Sequence, residues 1–135
     1  RLDHTRADMA RAVMEAAAFE LPWALSHIRQ AGMPVERLWM IGGAAQSPLW
    51  PTIVADVTGI PLSLPLYEHW PAAGAAILAG VGIGVFETLE SAQASFQKPS
   101  HHIEPHGARM RIYDHCFTGY QHVVAMAAQG ERIVE

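Results

Sequence analysis

Residues 38–59 read LWMIGGAAQSPLWPTIVADVTG, and the fold can be inferred outward from this stretch. Residues 38–41 form a short apolar run that ends at turn residues, which is typical of a strand buried on both faces. Gly42 and Gly43 then end the strand, because residues without a Cβ favour a tight turn and let another group approach the main chain. The stretch therefore predicts a strand followed by an accessible turn.

A helix is predicted directly after this turn. Ser47 is a favourable N-cap, Pro48 suits the first helical position, and an apolar stripe continues to Gly59, where the helix is expected to stop. The first turn of such a helix has unpaired amides and the positive end of the helix dipole, both of which favour an anion. The sequence therefore predicts an α/β corner of the kind that holds phosphates.

Two stricter phosphate-binding motifs do not fit this corner. A dinucleotide fingerprint needs glycines where Ala44 and Ser47 stand, and a P-loop needs a Gly-Lys-Ser/Thr ending that is absent. Spacing alone leaves two interpretations open, a nucleotide site and an ordinary β-α turn whose glycines only make it tight.

The stretch resembles the adenosine motif of the FGGY family of carbohydrate kinases, in which an apolar strand, Gly-Gly-Gly/Ala-x-x-Ser/Asn and a helix ending Ala-Asp-x-x-Gly follow one another. The residues that fit are Ile41, Gly42, Gly43, Ala44, Ser47, Leu49, Trp50, Ala55, Asp56 and Gly59. Residues 3–15, and Glu68 with residues 72–79, are similar to two further family segments, whereas residues 69–71 depart from the pattern. The resemblance covers residues 3–86 in the expected order.

This resemblance implies an enzyme that transfers the γ-phosphoryl of ATP to a sugar hydroxyl, with Mg²⁺, in a cleft between two lobes. Gly42, Gly43 and Ala44 would approach the phosphate and ribose with main-chain atoms, and Gln46 and Ser47 would contact the adenosine. The family's catalytic Asp and most sugar contacts are expected in segments preceding this chain. The resemblance therefore assigns no catalytic residue here, and the isolated fragment is expected to be inactive.

The remaining sequence predicts further helices and one more strand. Thr5 and Asp8 resemble a capping box that opens a long helix, which Pro22 should kink or divide and which Gly32 and Pro34 should end. Residues 61–66 predict a short second strand, parallel to the first because a helix connects them, with prolines that suit an edge or a strand end. Residues 70–86 predict a buried helix, 88–96 a short helix, 97–107 an irregular connection and 109–129 a last helix.

The order helix, strand, helix, strand, helix is similar to the later half of an actin-like, ribonuclease H-like ATPase lobe of the α/β class, followed by C-terminal helices. Residues 1–135 are expected to be a nucleotide-binding domain fragment, with 1–86 as the family core and 87–135 as a helical extension. Two parallel strands leave an exposed pairing edge. We therefore expect association with the rest of a parent chain or with another copy.

The amino-acid composition argues against several classes of function. Half of the 135 residues are hydrophobic, which predicts one globular unit, and a net charge of −4 with nine Lys and Arg argues against nucleic acid. The apolar run 70–86 is shorter than the roughly 20 residues that span a bilayer, so no membrane partner is expected. Cys116 is the single cysteine, which excludes an internal disulfide and is compatible with a cytoplasmic location. The natural N-terminus and targeting are left open by a sequence that begins at Arg1.

The remaining polar residues are expected to have structural roles. No metal site is predicted for two sets of potential ligands: His101, His102, Glu104 and His106, and His115, Cys116 and His122. Cys116 is expected to be buried, His122 to be a structural histidine, and Glu68 to lie near a helix N-terminus. Asp3, Asp8 and Asp56 are expected to have capping or surface roles. A non-catalytic oligomerisation or regulatory lobe and a Rossmann-type dinucleotide-binding fragment remain alternatives.

Overall fold

The computed structural model of the protein describes residues 3–66, 69–96 and 100–131, in which helices accompany a three-stranded sheet. The elements in chain order are α1 (Arg6–Gln30), β1 (Leu38–Trp39), a 3₁₀ turn (Gly43–Gln46), α2 (Trp50–Thr58), β2 (Leu62–Pro65), α3 (Trp70–Gly82), α4 (Leu89–Phe96), β3 (Ser100–Ile103) and α5 (Gly107–Glu131).

Helix α1 begins at the predicted capping box. The amide of Asp8 donates to Thr5 Oγ1 at 3.3 Å, and the amide of Thr5 donates to Asp8 Oδ2 at 2.7 Å. Of the two effects predicted for Pro22, division of the helix does not occur, because α1 continues through it to Gln30. Buried residues on both sides of Pro22, Phe19 and Leu25, provide packing that offsets the hydrogen bond lost at the proline.

The sheet contains the predicted parallel pair and one strand that was not predicted. Leu38 pairs with Leu62 and Trp39 with Ser63 in parallel register, which confirms that β1 and β2 lie side by side. Strand β3 pairs antiparallel with β2 over residues 100–103. The prediction of an irregular connection over 97–107 is therefore wrong for these four residues, and β2 is the central strand instead of an edge, with Pro65 at its end.

Helix α2 lies at the centre of the packing. Ile53 and Val57 pack with Phe19 of α1 and Tyr113 of α5, while Val54 packs on the sheet. The helix ends where predicted, because Gly59 adopts a left-handed backbone with φ of +65°. The sheet, α1 and α5 are thus all positioned by one short buried helix.

Two predicted burial patterns are wrong. The run 38–41 was expected to be a strand buried on both faces, yet Trp39 is 61% and Ile41 49% exposed, since β2 is the single neighbour of β1 among the described strands. The apolar run predicted as a buried helix forms α3 only as far as Gly82, and its Leu78 is 65% exposed. The predicted short helix and last helix are confirmed as α4 and α5. No helix in the described ranges is long and apolar enough to cross a membrane.

Candidate nucleotide-binding site

The turn after β1 is open. Gly42 has φ of +78° and ψ of −165°, a conformation available essentially only to glycine. A Cβ built on Gly42 or Gly43 would meet no heavy atom of the described residues within 4 Å. The two glycines therefore leave the main chain accessible, and no side chain in the described ranges fills the space beside them.

The predicted helix does not begin directly after the glycines. The chain first forms the 3₁₀ turn, in which the amide of Ala45 donates to the carbonyl of Gly42 at 3.1 Å. The amide of Ser47 donates to Ala44 O at 3.3 Å, and α2 begins only at Trp50. The sequence correctly predicted a turn followed by a helix, but the helix begins later in the chain than predicted.

Ser47 still caps α2 from outside the helix. Its hydroxyl accepts the amide of Trp50 at 3.1 Å and the amide of Leu49 at 3.4 Å. Pro48, which was predicted at the first helical position, lies before the helix. The proline in the first turn of α2 is Pro51. The expectation that the first amides of this helix are unpaired is therefore wrong for Leu49 and Trp50.

An open groove of about 310 Å³ lies at the carboxyl ends of the parallel strands β1 and β2. Its walls come from the turn after β1, the end of β2 and the start of β3, and the lining residues are Ile41, Gly42, Ala45, Gln46, Leu64, Pro65, Leu66 and His101. In open α/β sheets, ligands bind at this edge, beyond the carboxyl ends of the strands.

The structure brings only part of the predicted site into the groove. Gly42 and Gln46 line it, Gly43 and Ala44 are exposed next to it, and Ser47 is half-buried against α2. His101 also lines the groove, although the sequence did not predict this role for it. The missed strand explains this omission, because His101 reaches the groove only through the pairing of β3 with β2.

Asp56 anchors the start of α5. This carboxylate was expected to have a capping or surface role, but Asp56 is only 2% exposed. It accepts the amide of His106 at 2.7 Å and forms an ion pair with Arg109. Since β3 ends at Ile103, just before His106, this buried carboxylate also fixes the chain that leaves β3.

A second polar cluster fixes β3 to the other strands. Ser63 is fully buried, and its hydroxyl lies 3.1 Å from Nδ1 of His102, its register partner on β3. Arg37 donates to Ser63 Oγ at 3.4 Å and lies 3.3 Å from the same histidine nitrogen. Because successive side chains on a strand point to opposite faces, these contacts set the face on which His101 lies.

The other candidate ligands do not converge. Within the described residues, no three His, Cys, Asp or Glu side chains are placed to hold a metal ion. The expected burial of Cys116 is wrong, because its side chain is exposed, and His122 is exposed as well. Glu68 lies outside the described residues.

A polar contact between α1 and α5 lies away from the groove. The hydroxyl of Tyr113 donates to Glu15 Oε1 at 2.7 Å and accepts from Arg11 Nη2 at 2.8 Å. Burial, together with the hydrogen bond to Glu15, raises the pKa of Tyr113. These hydrogen bonds join α1 to α5, and their role is to stabilise the packing of the two helices.

Comparison with known proteins assigns the family. Residues 1–83 match the model of the FGGY family of carbohydrate kinases, C-terminal domain, and the chain belongs to this family. It is 33% identical over 126 residues to a xylulose kinase of Staphylococcus epidermidis, and 34% identical over 127 residues to an L-xylulose/3-keto-L-gulonate kinase of Escherichia coli. These alignments cover 93% and 94% of this chain but only 25% of each relative, so the chain spans about a quarter of their length.

A solved structure gives the same assignment. The xylulose kinase from Rhodospirillum rubrum superposes with a TM-score of 0.79 and 26% identity, over 96% of this chain and 26% of that one. The predicted resemblance and the predicted actin-like α/β fold are confirmed. The family match also decides against the Rossmann-type alternative.

Proposed function

We propose that this chain is the nucleotide-binding part of an ATP-dependent carbohydrate kinase, similar to xylulokinases, that transfers the γ-phosphoryl of ATP to a sugar hydroxyl. The observation that carries this proposal is the open groove at Gly42, at the carboxyl ends of two parallel strands, in a chain of the FGGY family. The relatives named as xylulose kinases support the substrate class.

The proposed contacts are those of a binding surface. Gly42, Gly43 and Ala44 offer exposed main-chain atoms to the phosphate and ribose, and Gln46 offers a carboxamide to the adenosine. Ser47 uses its oxygen to cap α2, but a serine hydroxyl also carries one hydrogen that remains a donor for the nucleotide. All of these proposed contacts are hydrogen bonds from main-chain and neutral side-chain groups.

The chemistry itself is proposed to depend on the rest of the parent protein. Phosphoryl transfer depends mainly on positioning and on charge neutralisation, and Mg²⁺ would accompany the ATP phosphates. Asp56 is committed to Arg109, and Asp8 to the cap of α1, so neither is proposed as a base. The sugar would be bound mainly outside this chain, and the isolated fragment would lack turnover.

The parent is proposed to act in the cytoplasm, where ATP is available, and its partners are ATP and a sugar. Exposed apolar side chains, such as Val13 at 72% and Ile83 at 79%, support association with the rest of the parent or with another copy. Sedimentation of residues 1–135 alone would test this. A monomer that melts cooperatively would contradict it.

A matched pair of glycine variants tests the site. Gly42 and Gly32 both have positive φ, and a Cβ added at either position would have no heavy atom of a described residue within 4 Å, but only Gly42 lines the groove. In the full-length protein, Gly42→Ala should weaken ATP binding by calorimetry and raise the KM for ATP in a coupled assay with a sugar panel. Gly32→Ala should leave both values unchanged, because Gly32 lies outside the groove.

Three results would overturn the proposal. Equal ATP affinity in the two variants would show that Gly42 is not part of the ATP site. Robust sugar phosphorylation by residues 1–135 alone would contradict a base located elsewhere. A full-length protein that does not bind ATP would favour the non-catalytic lobe.

A further inference from the structure

We infer that His101 is a specificity-determining residue that contacts the nucleobase, sharing that role with Gln46 in the groove next to Gly42. This inference rests on the proposed function, which it extends from ATP binding in general to recognition of the base. It depends on strand β3, the element that brings His101 to the groove.

The position of His101 is fixed by its strand. His101 pairs with Leu64, and both residues line the groove. The neighbouring His102 lies on the other face, where it is held by Ser63 and Arg37. Among the residues that the structure describes, neither His101 nor Gln46 uses its side chain in a hydrogen bond or ion pair. Both polar side chains are therefore available to a ligand.

The lining of the groove fits a base better than a phosphate chain. No Lys or Arg is among the described lining residues, and most of the wall is apolar, with Ile41, Leu64 and Leu66 as its larger members. A triphosphate requires cations or converging amides, whereas a planar base can be buried against apolar side chains. The volume of about 310 Å³ is at the lower end of the range for small-molecule sites, which suits one base.

The two polar groups match the edge of a purine such as adenine. A neutral imidazole has one donor and one acceptor, and a carboxamide has both. Adenine presents an amino donor next to a ring-nitrogen acceptor, and an imidazole ring can in addition stack on a base. Gln46 comes from the 3₁₀ turn and His101 from β3, so two separate elements contribute to the recognition of the base.

The test uses the full-length protein with the variants His101→Ala and His101→Gln. The control is His115→Ala, which removes an exposed histidine of α5 outside the groove. Loss of one base contact should weaken ATP binding about three- to tenfold in His101→Ala. The KM for ATP should rise by a similar factor, with kcat and the sugar KM unchanged, because such a contact is made equally in the ground and transition states.

Nucleotide selectivity provides the second readout. The preference for ATP over GTP should fall in His101→Ala and be partly retained in His101→Gln, which keeps hydrogen-bonding groups. Photolabelling of the wild-type protein with 8-azido-ATP should modify the peptide that contains β3, and this measurement does not depend on the folding of a variant.

The outcomes separate the two proposals. If the wild-type protein binds ATP and His101→Ala binds it within twofold, the role of His101 is overturned while the proposed function stands. Labelling that avoids the β3 peptide would have the same meaning. If the wild-type protein does not bind ATP, both proposals fail.

Discussion

The carboxylate of Asp56, buried in α2, is paired with the guanidinium of Arg109, near the start of α5. The same carboxylate accepts the amide of His106. One side chain therefore satisfies a backbone donor and a charged donor at the N-terminal end of another helix. Its position in the family's Ala-Asp-x-x-Gly pattern has a structural explanation in this chain, which is the attachment of α5 to α2.

The first prediction concerns this ion pair. Asp56→Asn should lower the free energy of unfolding of the full-length protein by about 1–3 kcal/mol, because a hydrogen bond to a charged group is lost at a buried position that water cannot reach. Arg109, which is 43% exposed, remains solvated in the variant, and this limits the cost. Urea denaturation measures the change. Asp114→Asn, on the exposed face of α5, is the control, and equal effects of the two substitutions would contradict the structural role.

The second prediction compares two glycines with opposite expected effects. Gly59→Ala should destabilise the protein by about 1–2 kcal/mol, because alanine disfavours the left-handed backbone that ends α2. The added Cβ would also lie 3.0 Å from Met110 Cε, which can move aside. Gly119 lies inside α5, and a Cβ there would have no neighbour within 4 Å among the residues that the structure describes, so Gly119→Ala should stabilise the protein by up to about 1 kcal/mol. Thermal midpoints should move in opposite directions, and a shift of the same sign would refute this account.

The third prediction concerns pH and Tyr113. Because its pKa is raised in the folded protein, chiefly by burial and then by the bond to Glu15, the folded state holds the phenolic proton more tightly than the unfolded state. This contribution to stability is complete below the unfolded tyrosine pKa of about 10 and is lost as the pH rises through the folded pKa. The stability of the wild-type protein should therefore fall above about pH 10.

Tyr113→Phe should remove this part of the pH dependence. At neutral pH the variant should lose about 1 kcal/mol, because the hydroxyl no longer donates to Glu15 or accepts from Arg11. Unfolding free energies at about pH 8 and above about pH 10 give the measurement. A variant whose stability declines as steeply as that of the wild type in alkaline solution would exclude Tyr113 as the titrating group.

The parts of the fold that the sequence predicted depend on local interactions. The Thr5 and Asp8 capping box lies within four consecutive residues, and Gly59 ends α2 through its own backbone conformation. The parallel pairing of β1 and β2 follows from the helix that connects them. In each case the sequence signal and the stabilising interaction lie close together in the chain.

The parts that were missed depend on residues distant in sequence. Strand β3 contains two histidines and a serine, which are not among the residue types enriched in strands, and it is held by pairing with β2. The burial of Asp56 depends on Arg109, and the groove position of His101 depends on the register with Leu64. The exposure of Trp39 likewise depends on which strands lie beside β1, and residues 38–41 alone do not show this.

The antiparallel pairing of β2 with β3 joins segments that are separated by both α3 and α4. During translation the glycine turn and β2 emerge first, and the strand that carries His101 becomes available only after these two helices have been made. Long-range pairing is also slow to form, since the intervening chain must first be closed into a loop. The wall of the groove that β3 contributes is therefore expected to form last on a nascent chain, and a chain stalled on the ribosome before Ser100 would have the groove without this wall.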